Sequence, residues 1–466
     1  MLFKKKYNII QQDFIKGYNA IREKSKRNLL CHAPFKSIFF SEYGEVLACF
    51  YNKKEILGRY PENSIHDIWN GKKINKLRDY IKNNDLSFGC EDCRRYLIFK
   101  NYYSVGAWKY DYLPKAEKNF PVSLDFQISN ICNLECIMCN GEFSASIRQK
   151  REREIPYSNP YDKIFIKQLE PFFPHLKEAA FTGGETFLVK LYYDIWNKIS
   201  EINPEIKISI TTNGTILNEK IKKILSLLNF NITISVDAIS KETFELIRKG
   251  AKFETVLENL NYFHEYTLKK NTTFTVKTCP MRQNWKELPQ LFKFLNDKNI
   301  VIVYNTVVFP PYCSLWNIAP EKSLEIIKYL SSFNFEATTI IQQQNIERYK
   351  NLIVQLQNWR KEVIKNNYDE ILKLKDHKKL LQIFYKKIRN AIYQDITLSI
   401  NEKEEKHRKY DEALQQLSDA IENKESLANA LKYYIGLPIE RILSEMEIRS
   451  VEKMIERTKQ AGKIIE

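Results

Sequence analysis

The chain contains a tight group of three cysteines, spaced four and three residues apart: Cys132, Cys136 and Cys139. They come directly after residues 122–128, an apolar stretch of strand-like composition. Three such thiolates can hold three irons of a cubane [4Fe–4S] cluster and leave the fourth iron open to another ligand. Thiols at this spacing also share one face of a helix and could be buried apolar groups, but the neighbours Asn130 and Asn133 make that face polar. The spacing therefore favours an iron–sulfur site.

Four further cysteines precede this group and could form a second metal site: Cys31, Cys49, Cys90 and Cys93. Two strand-like stretches flank a turn at Tyr43 and Gly44, and such a hairpin would bring the first pair together. The second pair has the spacing of a CxxC turn. Four thiolates complete a tetrahedral site, for which zinc and iron–sulfur are close rivals on spacing alone.

The composition is that of a globular protein and disfavours several functions. The 466 residues are 44% hydrophobic, enough for two or three domains, with no apolar run long enough to cross a bilayer. The net charge of +16 is spread along the whole chain, so it does not indicate a nucleic-acid groove. Polar residues follow the charged start, Met1 to Lys6, unlike a secretory signal. We therefore expect a cytoplasmic protein whose nine cysteines serve metal or redox chemistry.

The CxxxCxxC arrangement of Cys132, Cys136 and Cys139 resembles the hallmark of the radical SAM superfamily. The resemblance implies a [4Fe–4S] cluster on these three catalytic thiols, with S-adenosylmethionine (SAM) chelated at the open iron. Reductive cleavage of SAM would yield a 5′-deoxyadenosyl radical that abstracts a hydrogen atom from a substrate. Met138 stands where the family usually has an aromatic residue along the adenine, and a thioether can fill that place.

Other positions that resemble SAM-binding residues of the family follow successive predicted strands. Gly183, Gly184 and Glu185 match the GGE motif that binds the methionyl amine, although Thr186 replaces the usual proline. The remaining candidates are an Asn-Gly turn, two positions near the ribose and an arginine expected at the SAM carboxylate: Asn213, Ser235, Asp237 and Arg248. Each has an ordinary structural alternative, such as a β-turn, a helix cap or a surface arginine near a helix end.

Residues 30–95 resemble the twitch module, a short SPASM-like domain that carries an auxiliary [4Fe–4S] cluster in radical SAM enzymes. The match rests on Cys31, Gly44 and Cys49, followed by the pair Cys90 and Cys93. This resemblance favours iron–sulfur over zinc as the metal centre. Family members usually carry the module after the barrel, whereas here it precedes the barrel.

From residue 119 strand-like and helix-like stretches alternate, which is typical of parallel β/α units. The predicted strands are residues 122–128, 178–182, 207–212, 231–236, 273–278 and 301–307. Six units indicate an α/β fold built on the family's partial (β/α)6 TIM-like barrel, with its chemistry at the carboxyl ends of the strands. We predict four segments: an N-terminal helix (1–29), a twitch domain (30–118), the radical SAM core (119–320) and a helical C-terminal region (321–466).

The C-terminal region has the composition of consecutive helices. Beyond Pro320 no glycine occurs before Gly436 and no proline before Pro438, while Leu, Ile, Lys and Glu recur at helical period. The pattern predicts helices over residues 378–393, 402–423 and 439–459. The last of these is amphipathic and could serve as a lid, an oligomer contact or a docking helix.

Together these features predict net oxidation or cross-linking of a peptide or small-molecule substrate. An auxiliary cluster could accept the electron left on the oxidised substrate, and the SAM cluster would need a low-potential donor such as flavodoxin or ferredoxin. The alternatives are methylation or coupling of a small metabolite, or a non-catalytic iron–sulfur or zinc protein that binds a partner. Cys279 and Cys313 are spare thiols near the predicted barrel mouth, for which burial as small apolar groups is the more common role.

Overall fold

The computed structural model describes residues 8–52, 54–117, 119–316, 318–366, 368–395 and 398–462. The charged start of the chain, to which the prediction about a secretory signal refers, lies outside the described residues. The chain divides into two compact units, one comprising Met1–Val236 with Phe244–Val276 and the other Asp237–Thr243 with Lys277–Glu466.

The six strands predicted between residues 122 and 307 are all present, as β4 to β9, and they alternate with helices. In chain order the strands are β1 (Ser37–Phe40), β2 (Glu45–Leu47), β3 (Gly58–Arg59), β4 (Ser123–Phe126), β5 (Glu178–Phe181), β6 (Lys207–Thr212), β7 (Phe230–Ser235), β8 (Phe274–Thr278) and β9 (Val301–Tyr304). Their alternating buried and partly exposed residues, clearest in β7, explain why these stretches form strands with one face in the core. The mixed α/β fold class is confirmed.

The helices fall between the strands and then follow one another without further strands. In chain order they are α1 (Gln12–Ala20), α2 (Ala33–Lys36), α3 (Ile65–Asn70), α4 (Lys72–Lys82), α5 (Glu91–Ile98), α6 (Ala145–Lys150), α7 (Lys163–Leu169), α8 (Lys190–Ile202), α9 (Glu219–Leu227), α10 (Lys241–Ile247), α11 (Phe253–Lys270), α12 (Leu288–Asp297), α13 (Pro320–Ser331), α14 (Ile340–Lys365), α15 (Tyr368–Lys373), α16 (His377–Gln394), α17 (Ile400–Ala420), α18 (Lys424–Gly436), α19 (Ile439–Ile448) and α20 (Val451–Ala461). The helical C-terminal region is therefore confirmed.

The sheet of the first unit joins the amino-terminal hairpin to the parallel strands. Its strands follow the order β3-β2-β1-β4-β5-β6-β7-β8. β1 pairs antiparallel with β2, as the hairpin prediction requires, and β4 to β7 pair in parallel. β1 also pairs in parallel with β4, with Ser37 opposite Ser123 and Phe40 opposite Phe126. The hairpin thereby covers the edge that β4 would otherwise expose.

Aromatic side chains form the core between this sheet and its helices. The rings of Phe126 and Phe181 stack with their centroids 4.7 Å apart, and those of Phe40 and Phe126 stack at 5.2 Å. Phe165 of α7 meets the ring of Phe40 edge-on, and Trp196 of α8 does the same to Phe181. Successive side chains of a strand point to opposite faces of the sheet. Since every second residue of these strands lies in this core, the residues between them lie on the opposite face.

The second unit has a helical core formed largely by α16 to α20, with Leu380, Leu414 and Leu431 buried in it. The predicted single helix over residues 439–459 is wrong, because α19 and α20 are separated at Arg449 and Ser450. The hydroxyl of Ser450 accepts from the backbone N–H of Lys453 at 3.3 Å and so starts a new helix. Within the described residues, no helix is both long and apolar enough to cross a membrane.

Glu445 of α19 should make this helical unit sensitive to acid. Arg449 donates to its carboxylate, and Nε of Arg457 lies 3.4 Å from Oε2. Burial raises the pKa of Glu445, but the charges of Arg457, Arg449 and Arg441 outweigh burial, so the net pKa is lowered. A carboxyl group whose pKa is lowered on folding stabilises the folded state above its ordinary pKa of 4.5, and this stabilisation is lost as the pH falls through the folded-state value.

We expect Glu445→Gln to lower the free energy of unfolding by about 1–3 kcal/mol at pH 7, because two arginines lose a partly buried partner. The difference from the wild type should shrink as the pH falls below 4.5. Urea unfolding followed by circular dichroism at pH 7 and at acidic pH measures both values. Glu422→Gln, at an exposed position, is the control and should change little. An equal loss of stability at both pH values would contradict the electrostatic explanation.

Candidate functional site

The three cysteines of the CxxxCxxC motif lie in the loop that leaves the carboxyl end of β4. All three are free thiols; Cys136 is buried, and Cys132 and Cys139 are partly buried. Burial raises the pKa of Cys139, and negative charge on Cys136 and Cys132 would raise it further. The three sulfurs are therefore close enough to influence one another, and their thiolate forms need nearby positive charge. A metal cluster supplies such charge, so this donor set fits a [4Fe–4S] cluster.

Backbone and side-chain contacts hold this cysteine loop in place. Oγ of Ser144, the cap of α6, donates to the carbonyl oxygen of Leu134 at 2.8 Å. The side chain of Glu135 accepts from Ser146 at 3.2 Å and from Lys150 at 3.0 Å. The backbone N–H of Glu135 donates to the carbonyl of Lys249 at 2.9 Å. The sequence did not reveal that these residues support the cysteine loop, because their spacing is the same as that of polar residues on any solvent-facing helix.

The glycine pair after β5 lies directly against the chain that leads into the cysteine loop. The N–H of Gly184 donates to Ser129 O at 3.1 Å, and that of Glu185 donates to Ile131 O at 2.7 Å. A Cβ atom on Gly183 would lie 2.3 Å from Ser129 O, and one on Gly184 would lie 2.2 Å from Ile131 O. Glycine is thus required here by close backbone approach, and Gly183 also has a φ of +120°.

We expect Gly183→Ala to lower the free energy of unfolding by at least about 3 kcal/mol, since backbone strain adds to a clash with Ser129 O. Gly250→Ala is the matched control, because Gly250 also has a positive φ, +98°, while its Cβ would meet nothing closer than 3.5 Å. The control should cost only about 1–2 kcal/mol. Thermal unfolding of both variants measures the difference, and equal destabilisation would contradict this role of Gly183.

Glu185 is fully buried and connects the ends of β5 and β6. Its Oε1 accepts from the hydroxyl of Thr212 at 2.7 Å and from the N–H of Phe187 at 3.1 Å, and its Oε2 accepts from the N–H of Asn213 at 2.6 Å. Burial raises the pKa of Glu185, while these donors favour its charged form. A carboxylate has about four acceptor positions, so three donors leave one for a ligand.

Two other predicted SAM-binding residues lie beside Cys132. The amide nitrogen of Asn213 is 3.9 Å from Cys132 Sγ and donates to the side-chain oxygen of Asn133 at 2.9 Å. The positive charge of Arg248, which is 6% exposed, lowers the pKa values of both Cys132 and Glu185 against the effect of burial. The structure thus brings Asn213, Arg248 and Glu185 together with the first cysteine.

The structure places the remaining predicted residues in different surroundings. Ser235 ends β7 and Met138 lies in the cysteine loop; both side chains are partly exposed. Asp237, in the second unit, is fully buried, and its Oδ1 accepts from the N–H of Cys279 at 2.7 Å while its carbonyl accepts from Asn284 at 2.7 Å. Asp237 therefore organises the turn after β8.

The spare thiols Cys279 and Cys313 are both buried in the second unit. The amide nitrogen of Asn305 lies 3.8 Å from Cys279 Sγ, and the carbonyl oxygen of Cys313 accepts from the N–H of Arg282 at 3.1 Å. These surroundings suit small buried side chains, which is the more common role of such thiols.

The four amino-terminal cysteines lie close enough together for the charge of one thiolate to affect another. Burial raises the pKa of Cys90, and charge on Cys93, Cys49 and Cys31 would raise it further. The amide nitrogen of Asn52 donates to Cys90 Sγ at 3.3 Å. Four free thiols that share one buried environment are a suitable donor set for a metal centre.

The two cysteine groups lie at opposite ends of the parallel strands. Cys31 precedes β1, and Cys49 follows β2 on the antiparallel side, where Ser37 Oγ donates to Ala48 O at 2.9 Å. Because Ser37 is in register with Ser123, this group lies at the amino end of β4, whereas the CxxxCxxC loop follows its carboxyl end. The four residues of β4 alone separate the two ends by at least about 10 Å.

The sheet face between the two groups is polar. Its partly exposed side chains, on β4 to β7 and on the residues directly after β4 and β5, include Asp125, Gln127, Thr182, Thr211, Thr233 and Ser235. At the amino end, Glu178 Oε1 accepts from Ser123 at 3.1 Å and from Tyr112 at 2.5 Å. Burial, together with the charge of Glu178, raises the pKa of Asp125 to about 7. A polar molecule on this face would therefore meet two carboxyl groups near the auxiliary cysteines.

Comparison with known families agrees with this arrangement. The chain matches the model of the radical SAM superfamily over residues 126–295 and that of SPASM, an iron–sulfur cluster-binding domain, over residues 31–94. The chain therefore carries a radical SAM domain preceded by a SPASM-type domain, which confirms the predicted order. These domains imply a SAM-binding [4Fe–4S] cluster and an auxiliary iron–sulfur centre, for which the two cysteine groups are the fitting donor sets.

Individual relatives are more distant. The probable GTP 3′,8-cyclase of Methanocaldococcus jannaschii is 29% identical over 182 residues, 39% of this chain and 57% of the relative. The GTP 3′,8-cyclase of Listeria welshimeri is 28% identical over 185 residues, 38% of this chain and 50% of the relative. The chain thus spans about half the length of the curated relatives it matches.

Solved structures show a weak likeness. The structure of anSMEcpe with bound AdoMet is 20% identical with a TM-score of 0.35, covering 45% of this chain and 59% of that chain. Streptococcus suis SuiB bound to S-adenosylmethionine is 15% identical with a TM-score of 0.34, covering 56% of each chain. A likeness at these TM-scores says nothing about the substrate.

Proposed function

We propose that this protein is a radical SAM enzyme, in which Cys132, Cys136 and Cys139 would hold a [4Fe–4S] cluster. When bound and reduced, such a cluster would supply the electron for the cleavage of SAM to a 5′-deoxyadenosyl radical. The observation that carries the proposal is the convergence of these thiols with Glu185, Asn213 and Arg248 at the carboxyl ends of the parallel strands. Ligands of such folds bind at this end.

The charges around Cys132 suit the amino-acid part of SAM, which has both an ammonium and a carboxylate group. We propose that the remaining acceptor position of Glu185, with the backbone of Gly183 and Gly184, binds the ammonium group. The guanidinium of Arg248 binds the carboxylate, for which its planar fork is well shaped. Arg248 and Glu185 lie within electrostatic range of each other, as binding one zwitterion requires.

The nucleoside part of SAM has three candidate contacts. Ser235, at the end of β7, can offer its hydroxyl to the ribose, and Met138 can lie along the adenine. Asn213 positions the turn beside Cys132. Asp237, predicted from the sequence as a ribose contact, has one carboxylate oxygen engaged by the N–H of Cys279, so we assign it the positioning of the neighbouring turn.

The auxiliary centre on Cys31, Cys49, Cys90 and Cys93 favours net oxidation or cross-linking of a peptide or small molecule. The substrate would lie on the polar face between the two cysteine groups, with the carbon that loses hydrogen toward the Cys132 end. The auxiliary centre at the other end would accept the remaining electron. Methylation or coupling of a small metabolite would leave this second group without a redox role.

A second candidate reaction is the cyclisation of GTP, since the relatives described above are named for it. The polar sheet face makes GTP cyclisation a weaker candidate than oxidation or cross-linking of another substrate. Glu178 places a carboxylate on this face, and Asp125, whose pKa of about 7 leaves it partly charged at neutral pH, would add to the repulsion of a triphosphate. A substrate with an amine, an amide or hydroxyl groups would be better matched to these acceptors.

Anaerobic reconstitution tests the proposal. The wild type should bind about eight irons, four at each cysteine group, and form 5′-deoxyadenosine from SAM and dithionite. Incubation with GTP tests the second candidate through the appearance of a cyclised nucleotide. About four irons with one zinc would remove the oxidation argument, and a protein without iron would overturn the whole proposal.

In the cell we propose a low-potential donor, such as flavodoxin or ferredoxin, as the partner that reduces the SAM cluster. Free thiols and iron–sulfur chemistry are suited to a reducing compartment, so we propose a cytoplasmic location. Replacing dithionite by reduced flavodoxin in the 5′-deoxyadenosine assay tests the donor.

A further inference from the structure

Arg151, directly after α6, contacts the backbone of the cysteine loop. Its guanidinium donates to the carbonyl oxygen of Cys139 and, at 3.4 Å, to that of Cys136. The next residue, Glu152, accepts from the N–H of Gly141 at 2.9 Å. Residues 151 and 152 therefore make hydrogen bonds both to the cysteine loop and to the backbone just beyond its last cysteine.

Two hydrogen bonds hold the charge of Arg151 beside the cysteine loop, because its guanidinium is bonded to the backbone of Cys139 itself as well as to that of Cys136. A cation held next to a cysteine favours the thiolate form of its sulfur. The same attraction applies to any added negative charge, including an electron gained by a cluster held on that thiolate. A fixed cation therefore makes reduction of the cluster easier.

We propose that Arg151 is a positioning residue of the SAM cluster, which closes the CxxxCxxC loop through two carbonyls and raises the cluster's reduction potential. This inference rests on the proposed function, since it requires a cluster on Cys132, Cys136 and Cys139. A merely structural role remains the alternative: a cation at the carboxyl end of α6 also complements the helix dipole. The alternative predicts no effect on the potential.

Arg153 provides the matched control. It is two residues further along and, like Arg151, is exposed and positively charged. Arg151→Gln and Arg153→Gln therefore remove one positive charge each from the same segment, but only the first removes the contacts with the cysteine carbonyls. Arg151→Lys keeps the charge and loses the planar fork that binds two carbonyls at once.

The experiment is a redox titration of the reconstituted full-length protein, followed by electron paramagnetic resonance of the reduced cluster. We expect Arg151→Gln to lower the equilibrium constant for reduction about tenfold, which for one electron corresponds to a potential about 59 mV more negative. Arg153→Gln should change this constant less than about threefold, because the hydrogen bonds that hold a cation on the cysteine carbonyls belong to Arg151 and remain in this variant. Arg151→Lys should remain near the wild type in potential but show an altered resonance spectrum.

An unshifted potential in Arg151→Gln, or an equal shift in Arg153→Gln, would overturn the inference while leaving the proposed function intact. If Arg151→Gln instead loses about four irons and Arg153→Gln keeps them, the loop-closing role is supported. Loss of iron from both variants would overturn it. A wild type that binds no iron overturns the proposed function, and the inference with it.

Discussion

Replacing Cys132, Cys136 and Cys139 together with alanine should remove about four of eight irons and lower 5′-deoxyadenosine formation at least about a thousandfold. The reason is that the three thiols are the donor set beside Glu185 and Arg248. Without these thiols no cluster can bind at the SAM-binding end of the strands, so no electron from dithionite can be passed to SAM. Iron content, together with chromatography of the nucleoside product after incubation with SAM and dithionite, measures both effects.

Cys313→Ala is the control for this variant, because it removes a fully buried thiol that belongs to neither cysteine group. It should retain about eight irons and nucleoside formation close to the wild-type rate. If the triple variant still consumed SAM at the wild-type rate, the assignment of these cysteines would be wrong. If its iron content were unchanged, the cluster would have to lie elsewhere.

Replacing Cys90 and Cys93 with alanine should separate the two centres. We expect loss of about four irons, with the SAM cluster and substrate-free 5′-deoxyadenosine formation kept within about threefold of the wild type. The two groups lie at opposite ends of β4, so removing the auxiliary thiols leaves the loop at the other end in place. Formation of an oxidised product from any substrate then found should fall to background, because the second electron would have no acceptor.

Cys279→Ala is the matched control for the auxiliary site, since Cys279 is as buried as Cys93 but lies in the second unit. Iron content and the resonance signals of the reduced protein measure the outcome. Loss of one zinc instead of irons would show a zinc site and would remove the support for net oxidation. Loss of all irons would show that the two centres do not form independently.

The cysteine spacing and the alternation of strands could be interpreted from the sequence because both are local. When only two or three residues separate neighbouring cysteines, their thiols can share one cluster. Strand-like stretches that alternate with helical stretches indicate β/α units. The spacing of Cys132, Cys136 and Cys139 and the six strands β4 to β9 are of this kind. The break between α19 and α20 was missed, because a single capping serine is a weaker signal than the apolar period that continues through it.

The roles of individual polar residues depended on contacts that no spacing shows. Glu185 was recognised by its glycines, but its enclosure by Thr212, Phe187 and Asn213 follows from the meeting of β5 and β6. Arg151 is one of many basic residues in a chain of net charge +16, and only the fold places it on the cysteine carbonyls. Local sequence therefore identified the donor set, and packing identified what surrounds it.

By itself, the sequence determined that this chain has two cysteine groups of metal-binding spacing, one before and one within a series of β/α units. It did not determine where the first group lies relative to the second. The tertiary structure decided this through the parallel pairing of β1 with β4, which places the auxiliary cysteines at the amino ends of the strands and the CxxxCxxC loop at the carboxyl ends. The physical reason is that strand pairing joins residues about 86 positions apart, Ser37 and Ser123, through backbone hydrogen bonds that do not depend on side-chain identity.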